Sequence, residues 1–368
     1  MPRICMEAYF YCHSHPNPSF VYHDYICLAE GLKALGTQCF GDRSLYKSEE
    51  KNEFLIQYKK RYHWNNATLI FFHSNLYKLI GKKKADDIIM KITRQPRNES
   101  KIIFIDASDG VRTPGFEKGA QSCDVVLKSH YNRKYKYPKN FIPWQFGLSN
   151  RMIEAVHPLP FKQREQAFLV NFRVKHQLRD FLNNRLRAIV EKSLIWDNSI
   201  SDLEKEKLTG KDLLFWKQTG GRHYPSYYDK LSKTVACACY GGVFAIPWGN
   251  YNKYTAKIAR LLNDLIPLFP WDRVRQWDSW RLWESWVAGC CVVHVDFDKY
   301  GCQLPVMPQN KIHYLGIDLD NLEDFEASIC DKALLEQIAE NGKKFVLQHY
   351  SPEAVAGRLL QTLNLKSG

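Results

Sequence analysis

Arg281 and Glu284 stand three residues apart within the stretch 277–304, WDSWRLWESWVAGCCVVHVDFDKYGCQL. On a helix that spacing puts both side chains on one face. Ala288 and Gly289 end the helix, and Cys291 to Val295 follow as a β-branched run of the kind that makes a buried strand. In a doubly wound sheet, helix N-termini face the crevice at the carboxyl ends of the strands. An arginine there suits phosphate and an exposed acid suits hydroxyls. Spacing alone fits equally an i,i+3 ion pair in solvent, capping an ordinary helix.

Further polar residues fall where apolar strands end. ATLIFFHS (67–74) ends near His73, and KIIFIDAS (101–108) runs into Asp106 and Asp109 before Gly110. Residues at the carboxyl ends of successive parallel strands point into one crevice, which His13 and His15 can join from the first loop. Singly, each also fits a satisfied cap or core residue. The turn NFRVKH holds Arg173, Lys175 and His176 just before a helix, where backbone N–H groups and fixed cations can receive phosphate; a solvated basic turn is the plainer alternative. Gly241 and Gly242 would let backbone approach a ligand closely.

Other chemistries find little support. There is no GxSxG elbow, no CxxC pair and no GxGxxG, and neither HxxxH nor DxD spacing lies near the histidines of the first half. Eleven cysteines, an odd number without framework spacing, read as reduced core residues. With neither signal peptide nor an apolar run long enough to span a bilayer, the expectation is a cytoplasmic protein. The net charge of +13 favours an anionic partner. That charge is dispersed, its tight runs being Lys82–Lys84 and the segment 133–139, so a nucleic-acid stripe is not expected, while contact with the inner face of a membrane stays open.

The elements that must position these residues alternate. A strand before Tyr11, a polar loop and a helix over 24–35 make a first βα unit. Strands at 67–74, 101–108 and 124–128, with a helix over 84–94, continue it. The Tyr-, Lys- and Pro-rich segment 133–160 reads as a linker. A strand at 166–173, an amphipathic helix from 176, the strand VACACYGG, a strand at HYLGIDL and helices over 320–330, 332–342 and 351 onward follow. At 368 residues the chain is long for one domain. The expected class is α/β, two Rossmann-like domains with parallel sheets.

The order Arg-x-x-Glu-x-x-x-x-Gly-Cys-Cys-Val-Val (281–293), the loop NFRVKH, the run "Leu-Ser-Lys, apolar strand, Gly-Gly" (231–242) and the ending HYSPEAVAGRLL resemble GT-B glycosyltransferases, including the exostosin-like C-terminal domain. The resemblance covers mainly residues 168 onward. It implies an N-terminal acceptor domain (1–150), a linker (151–165), a nucleotide-sugar donor domain (166–350) and a final helix (351–368) crossing back to the first domain. It implies transfer of a sugar, hexosyl or related, from a nucleotide diphosphate sugar (UDP- or GDP-sugar) to a hydroxyl acceptor, with neither cofactor nor catalytic metal.

In that scheme Glu284 holds the ribose hydroxyls. Arg281, Lys233, Arg173 and Lys175 offset the diphosphate charge, with Tyr240, Gly241 and Gly242 beside the donor. His73, Asp106 and Asp109 face the acceptor, be it saccharide, lipid-linked or another small molecule. Asp106 is the first choice of base if the reaction inverts. The retaining branch carries a second Glu eight positions before the first, and Gln276 stands there, so the stereochemistry stays open. A catalytically inactive scaffold of the same fold and a basic nucleic-acid-binding protein are the alternatives.

Overall fold

Two mostly parallel sheets carry the chain. The structure is a computed structural model describing residues 6–13, 22–47, 53–96, 100–109, 113–172, 176–199, 207–244 and 274–365. The first sheet is built from β1 (Glu7–Phe10), β2 (Gln38–Gly41), β3 (Leu45–Lys47), β4 (Phe54–Tyr58), β5 (Leu69–His73), β6 (Lys101–Asp106), β7 (Val125–Lys128) and β8 (Phe141–Pro143). Their order is 3-4-2-1-5-6-7-8, parallel except for the edge strand β3. The second holds β9 (Glu165–Leu169), β10 (Ile195–Asp197), β11 (Thr234–Ala238), β14 (Cys291–Val295) and β15 (Leu315–Ile317) in the order 10-9-11-14-15, all parallel. Between β11 and β14, β12 (Val243–Phe244) and β13 (Val274–Arg275) form a short antiparallel ribbon.

The apolar runs explain the centres of both sheets. LIFFH, TVACA and CVVHV are buried at every position, as strands covered by helices on both faces must be. Strands without such a run were not visible in the sequence. β8, three residues long, lies inside the segment expected to be linker, yet it extends the first sheet beside β7. No period can be read from three residues, and Pro143 masks the pattern. Nor is that segment a free tether. Arg133 pairs with Asp298 at 3.0 Å, and Asn132 donates to the carbonyls of Val274 and Tyr300 at 3.2 and 2.8 Å.

One buried apolar cluster passes through both halves, which therefore share a core. The terminal helix Pro352–Thr362, capped by the Ser351 hydroxyl, returns to pack on the first helix, His23–Ala34. Contact is made at Gly31, where an added Cβ would stand 1.9 Å from the Pro352 carbonyl oxygen. Among the described residues no helix is long and apolar enough to cross a membrane.

Candidate functional site

A cavity of about 520 Å³ opens between the two sheets. Strand ends and helix starts supply its wall. From the first half come His23 and Asp24 at the start of the first helix, His73 at the end of β5, and Asp109 beyond β6. From the second come Asn171 and Phe172 after β9, and His176 and Arg179 where the helix Gln177–Val190 begins. Asp278 to Arg281 and Glu284 complete it at the helix Trp280–Val287. This is the crevice position expected of open α/β sheets.

Arg281 reaches into the cavity from the first turn of its helix. Its fork holds the Asn171 side-chain oxygen at 2.8 Å and the Asn171 carbonyl at 2.7 Å. Phe172 supports it, with the guanidinium carbon 4.8 Å from the ring centroid, and Arg179 lies 4.2 Å from the same ring. Two guanidinium groups thus share one aromatic ring. Burial, then the charge of Arg281, pulls Arg179 down to about 10. No carboxylate among the described residues forms a salt bridge with Arg281.

Glu284 is not the exposed acid that the spacing suggested. It is 5% exposed, and Tyr228 donates to its Oε1 at 2.8 Å. The i,i+3 ion pair with Arg281 does not form: the arginine is spent on Asn171, and the glutamate turns to the helix Pro225–Lys233.

On the opposite wall, His73 has both ring nitrogens committed. Nε2 contacts Asp24 Oδ2 at 3.0 Å, and Nδ1 accepts from the Asn75 backbone N–H at 3.0 Å. Asp24, absent from the sequence reading, therefore fixes the tautomer with Nε2 protonated. Asp109 lines the cavity with its side chain 62% exposed, its Oδ1 3.1 Å from His130 Nε2. Burial is the largest single influence and raises its pKa, but His130, Lys78 and Lys128 together outweigh it, and the carboxyl falls below its usual range.

Asp106 does not reach the cavity. It is fully buried, accepts from the Thr113 hydroxyl and from the Ser108 and Gly115 backbone at 3.2 Å each, and faces Lys128 at 3.7 Å. Side chains alternate along a strand, and the last residue of β6 points under the sheet.

Four of the expected donor residues also stand off the wall. Lys233 is exposed and paired with Asp229 at 2.7 Å. Tyr240 is buried, its hydroxyl on Asn183 Oδ1 at 2.8 Å. Gly241 and Gly242 serve it indirectly. Arg179 lies 2.9 Å from where a Cβ on Gly241 would be, and the Gly242 N–H donates to His176 Nδ1 at 3.0 Å. Gly242, at φ +103, also has the Arg275 carbonyl oxygen where a Cβ would stand. Arg173 and Lys175 lie outside the described residues, as do His15 and Gly110.

Sequence reasoning missed Asp24, Arg179 and Asp278. Arg179 read as the polar stripe of an amphipathic helix. Asp278 hides inside the opening aromatic run; it is 3% exposed, accepts from Trp283 Nε1 and Phe146 N–H at 2.7 Å each, and is raised to about 6 by burial. Its only signal was its place two residues before the helix. Two DxD spacings, Asp296/Asp298 and Asp318/Asp320, do occur in the second half. Neither lines the cavity, and Lys299 binds the second pair. Among the described residues, no group of three or more His, Cys, Asp or Glu is placed to hold a metal ion.

Two Rossmann-like sheets facing each other across a cleft, with the last helix returning to the first half, define the GT-B fold of glycosyltransferases. Solved structures agree. An alpha-glucosyltransferase in complex with UDP-glucose and DNA containing an abasic site superposes with a TM-score of 0.52 at 10% identity, covering 98% of this chain and 99% of that one. An alpha-glucosyltransferase in complex with UDP gives 0.51 at 11% identity, with the same coverage of 98% and 99%. No protein-family model matches the chain, and no curated protein matches its sequence.

Proposed function

We propose that this chain is a glycosyltransferase, moving a sugar from a nucleotide diphosphate sugar to a hydroxyl acceptor bound on the first half of the cavity. The observation that carries the reading is the pair Arg179 and Arg281, two cavity-wall guanidinium groups that share the Phe172 ring. A diphosphate answers that arrangement. It would offset both charges at once, and the same fixed charges would stabilise the leaving diphosphate as it develops, without a metal.

Glu284, with one oxygen held by Tyr228, has the other for ribose hydroxyls. The similar solved structures that hold UDP-glucose or UDP make UDP the first nucleotide to try. On the acceptor side Asp109 takes over the role first given to Asp106, because its carboxylate meets the cavity.

The test is isothermal titration of the protein in EDTA with UDP, GDP, ADP and dTDP. Binding of one nucleotide diphosphate, lost in both Arg281→Ala and Glu284→Ala, supports the donor site. Folded protein that binds none of the four overturns it, and leaves the scaffold reading.

A further inference from the structure

Behind Glu284 runs a chain of hydrogen bonds whose direction can be read from the donor inventory alone. Asp212 Oδ1 lies 3.0 Å from His223 Nε2, so that nitrogen carries the proton. His223 Nδ1 then has a lone pair, which accepts from Arg151 Nη1 at 2.9 Å. The same Nη1 gives its other hydrogen to the Tyr228 hydroxyl at 2.6 Å. That hydroxyl, its lone pair used, donates to Glu284 Oε1 at 2.8 Å. An arginine has no acceptor and a carboxylate no donor, so the order cannot reverse.

The relay is buried for most of its length: His223 is 2% exposed, Arg151 3% and Tyr228 0%. Burial, and next the charge of Arg151, lowers His223 to about 4, which keeps it neutral and able to accept near pH 7. Its elements come from across the fold. Asp212 starts the helix Gly210–Gln218, Arg151 lies in the short helix Asn150–Ala155 and Tyr228 in Pro225–Lys233. Arg151, His223 and Asp212 also line a second cavity of about 320 Å³, so the far end of the relay reaches solvent. A buried arginine is costly to desolvate unless it is hydrogen-bonded, and here its bonds run to His223 and the Tyr228 hydroxyl. The relay's product is one fixed orientation of the Glu284 carboxylate.

We propose that Tyr228, with Arg151, His223 and Asp212 behind it, is the positioning residue that holds Glu284 for a ribose diol and so makes the site prefer ribonucleotides to deoxyribonucleotides. This rests on the donor-site reading above. Without the phenolic hydroxyl, Glu284 loses its fixed rotamer, and the hydrogen bond to a ribose hydroxyl must be made from a mobile side chain. The loss falls on the ribose hydroxyls and not on the diphosphate beside Arg281; it is largest for a ribonucleotide, which offers Glu284 two hydroxyls, and smaller for its deoxy counterpart, which offers one.

The experiment titrates wild type, Tyr228→Phe, Asp212→Asn and Glu284→Gln with UDP and dUDP and with GDP and dGDP, in EDTA. Wild type should prefer the ribonucleotide of one base. Tyr228→Phe should weaken that ribonucleotide about tenfold and leave its deoxy counterpart within about twofold, the size of one hydrogen bond to a charged group. Asp212→Asn, half exposed and remote from the ligand, should shrink the same ratio by about threefold; it carries the test if Tyr228→Phe does not fold. A ribo-to-deoxy ratio unchanged in both variants but erased by Glu284→Gln overturns the relay and leaves the donor site standing. Wild type binding none of the four nucleotides overturns the donor site, and the relay's role with it.

Discussion

Arg281 closes on Asn171 with both ends of its guanidinium, one nitrogen on the side-chain oxygen and the other on the backbone carbonyl, at 2.8 and 2.7 Å. The clasp ties the first turn of the helix Trp280–Val287 to the loop after β9, with the guanidinium carbon 4.8 Å from the Phe172 ring centroid.

Arg281→Ala should therefore weaken a bound nucleotide diphosphate by about tenfold, near 1.4 kcal/mol, the range of one hydrogen bond to a charged group. Arg281→Lys should recover little of this, because an ammonium cannot make the two-pronged clasp on Asn171 that holds the charge in place. Titration of the diphosphate against its monophosphate gives the check. An equal loss for both would show that Arg281 does not address the outer phosphate.

Asp106 should behave as a structural residue. It neutralises Lys128, itself fully buried and lowered by that burial, and anchors the turn through Thr113 and Gly115. Breaking such a pair costs about 3–5 kcal/mol. Asp106→Asn should lower the urea midpoint accordingly while the folded fraction keeps its rate of sugar transfer. A normal midpoint with a hundredfold slower transfer would return Asp106 to the chemistry.

Acid should unfold the protein early. Burial holds His23, His223 and His294 each at about 4, against an ordinary value of 6.5. Between those values the unfolded chain binds protons that the folded one refuses, so this stability is present above pH 6.5 and is lost as pH falls towards 4. Asp278 acts oppositely. Raised from 3.8 to about 6, it keeps a proton in the folded state that the unfolded chain releases. Glu30, raised by burial from 4.5 to about 8, does the same, so near pH 5 the balance of these five groups is three taken up less two released, a net uptake of about one proton on unfolding. Melting temperature recorded from pH 7 to 5 should fall, and fall less steeply in His23→Gln. A flat profile contradicts the buried neutral histidines.

Two glycines in helices should respond in opposite ways to the same change. At Gly31 an alanine methyl would overlap the Pro352 carbonyl and the Ala356 side chain, 1.9 and 2.8 Å away. Gly31→Ala should cost about 1–3 kcal/mol by forcing the terminal helix off the first one. Gly357 has nothing within 4 Å, so Gly357→Ala should stabilise by about 0.5–1 kcal/mol through helix propensity alone. Chemical denaturation of the pair is the measurement, and equal signs would refute this account of the helix contact.

Much of the architecture was legible because its signals are local. Apolar runs such as LIFFH and CVVHV can only be central strands, and Ser351-Pro352 opens a helix by capping chemistry that needs no partner. β2, β3, β4 and β8 were lost because QCFG, LYK, FLIQY and FIP lack the unbroken apolar run of four or more residues that marks β5 and β14.

The site divides along the same line. Residue types and strand ends were enough to bring His73, Asp109, Arg281 and Glu284 forward, and all four line the cavity. The sequence determined which residues end strands and start helices, because hydrophobic period and caps act over a few positions. Only the tertiary structure decided their neighbours. Asp106 turned inward to Lys128, Glu284 took Tyr228 instead of Arg281, and Arg179 met Arg281 over Phe172 from 102 residues away along the chain. Coulomb and hydrogen-bond energies depend on distance through space, and that distance is set by the packing of two sheets, which no short stretch of sequence contains.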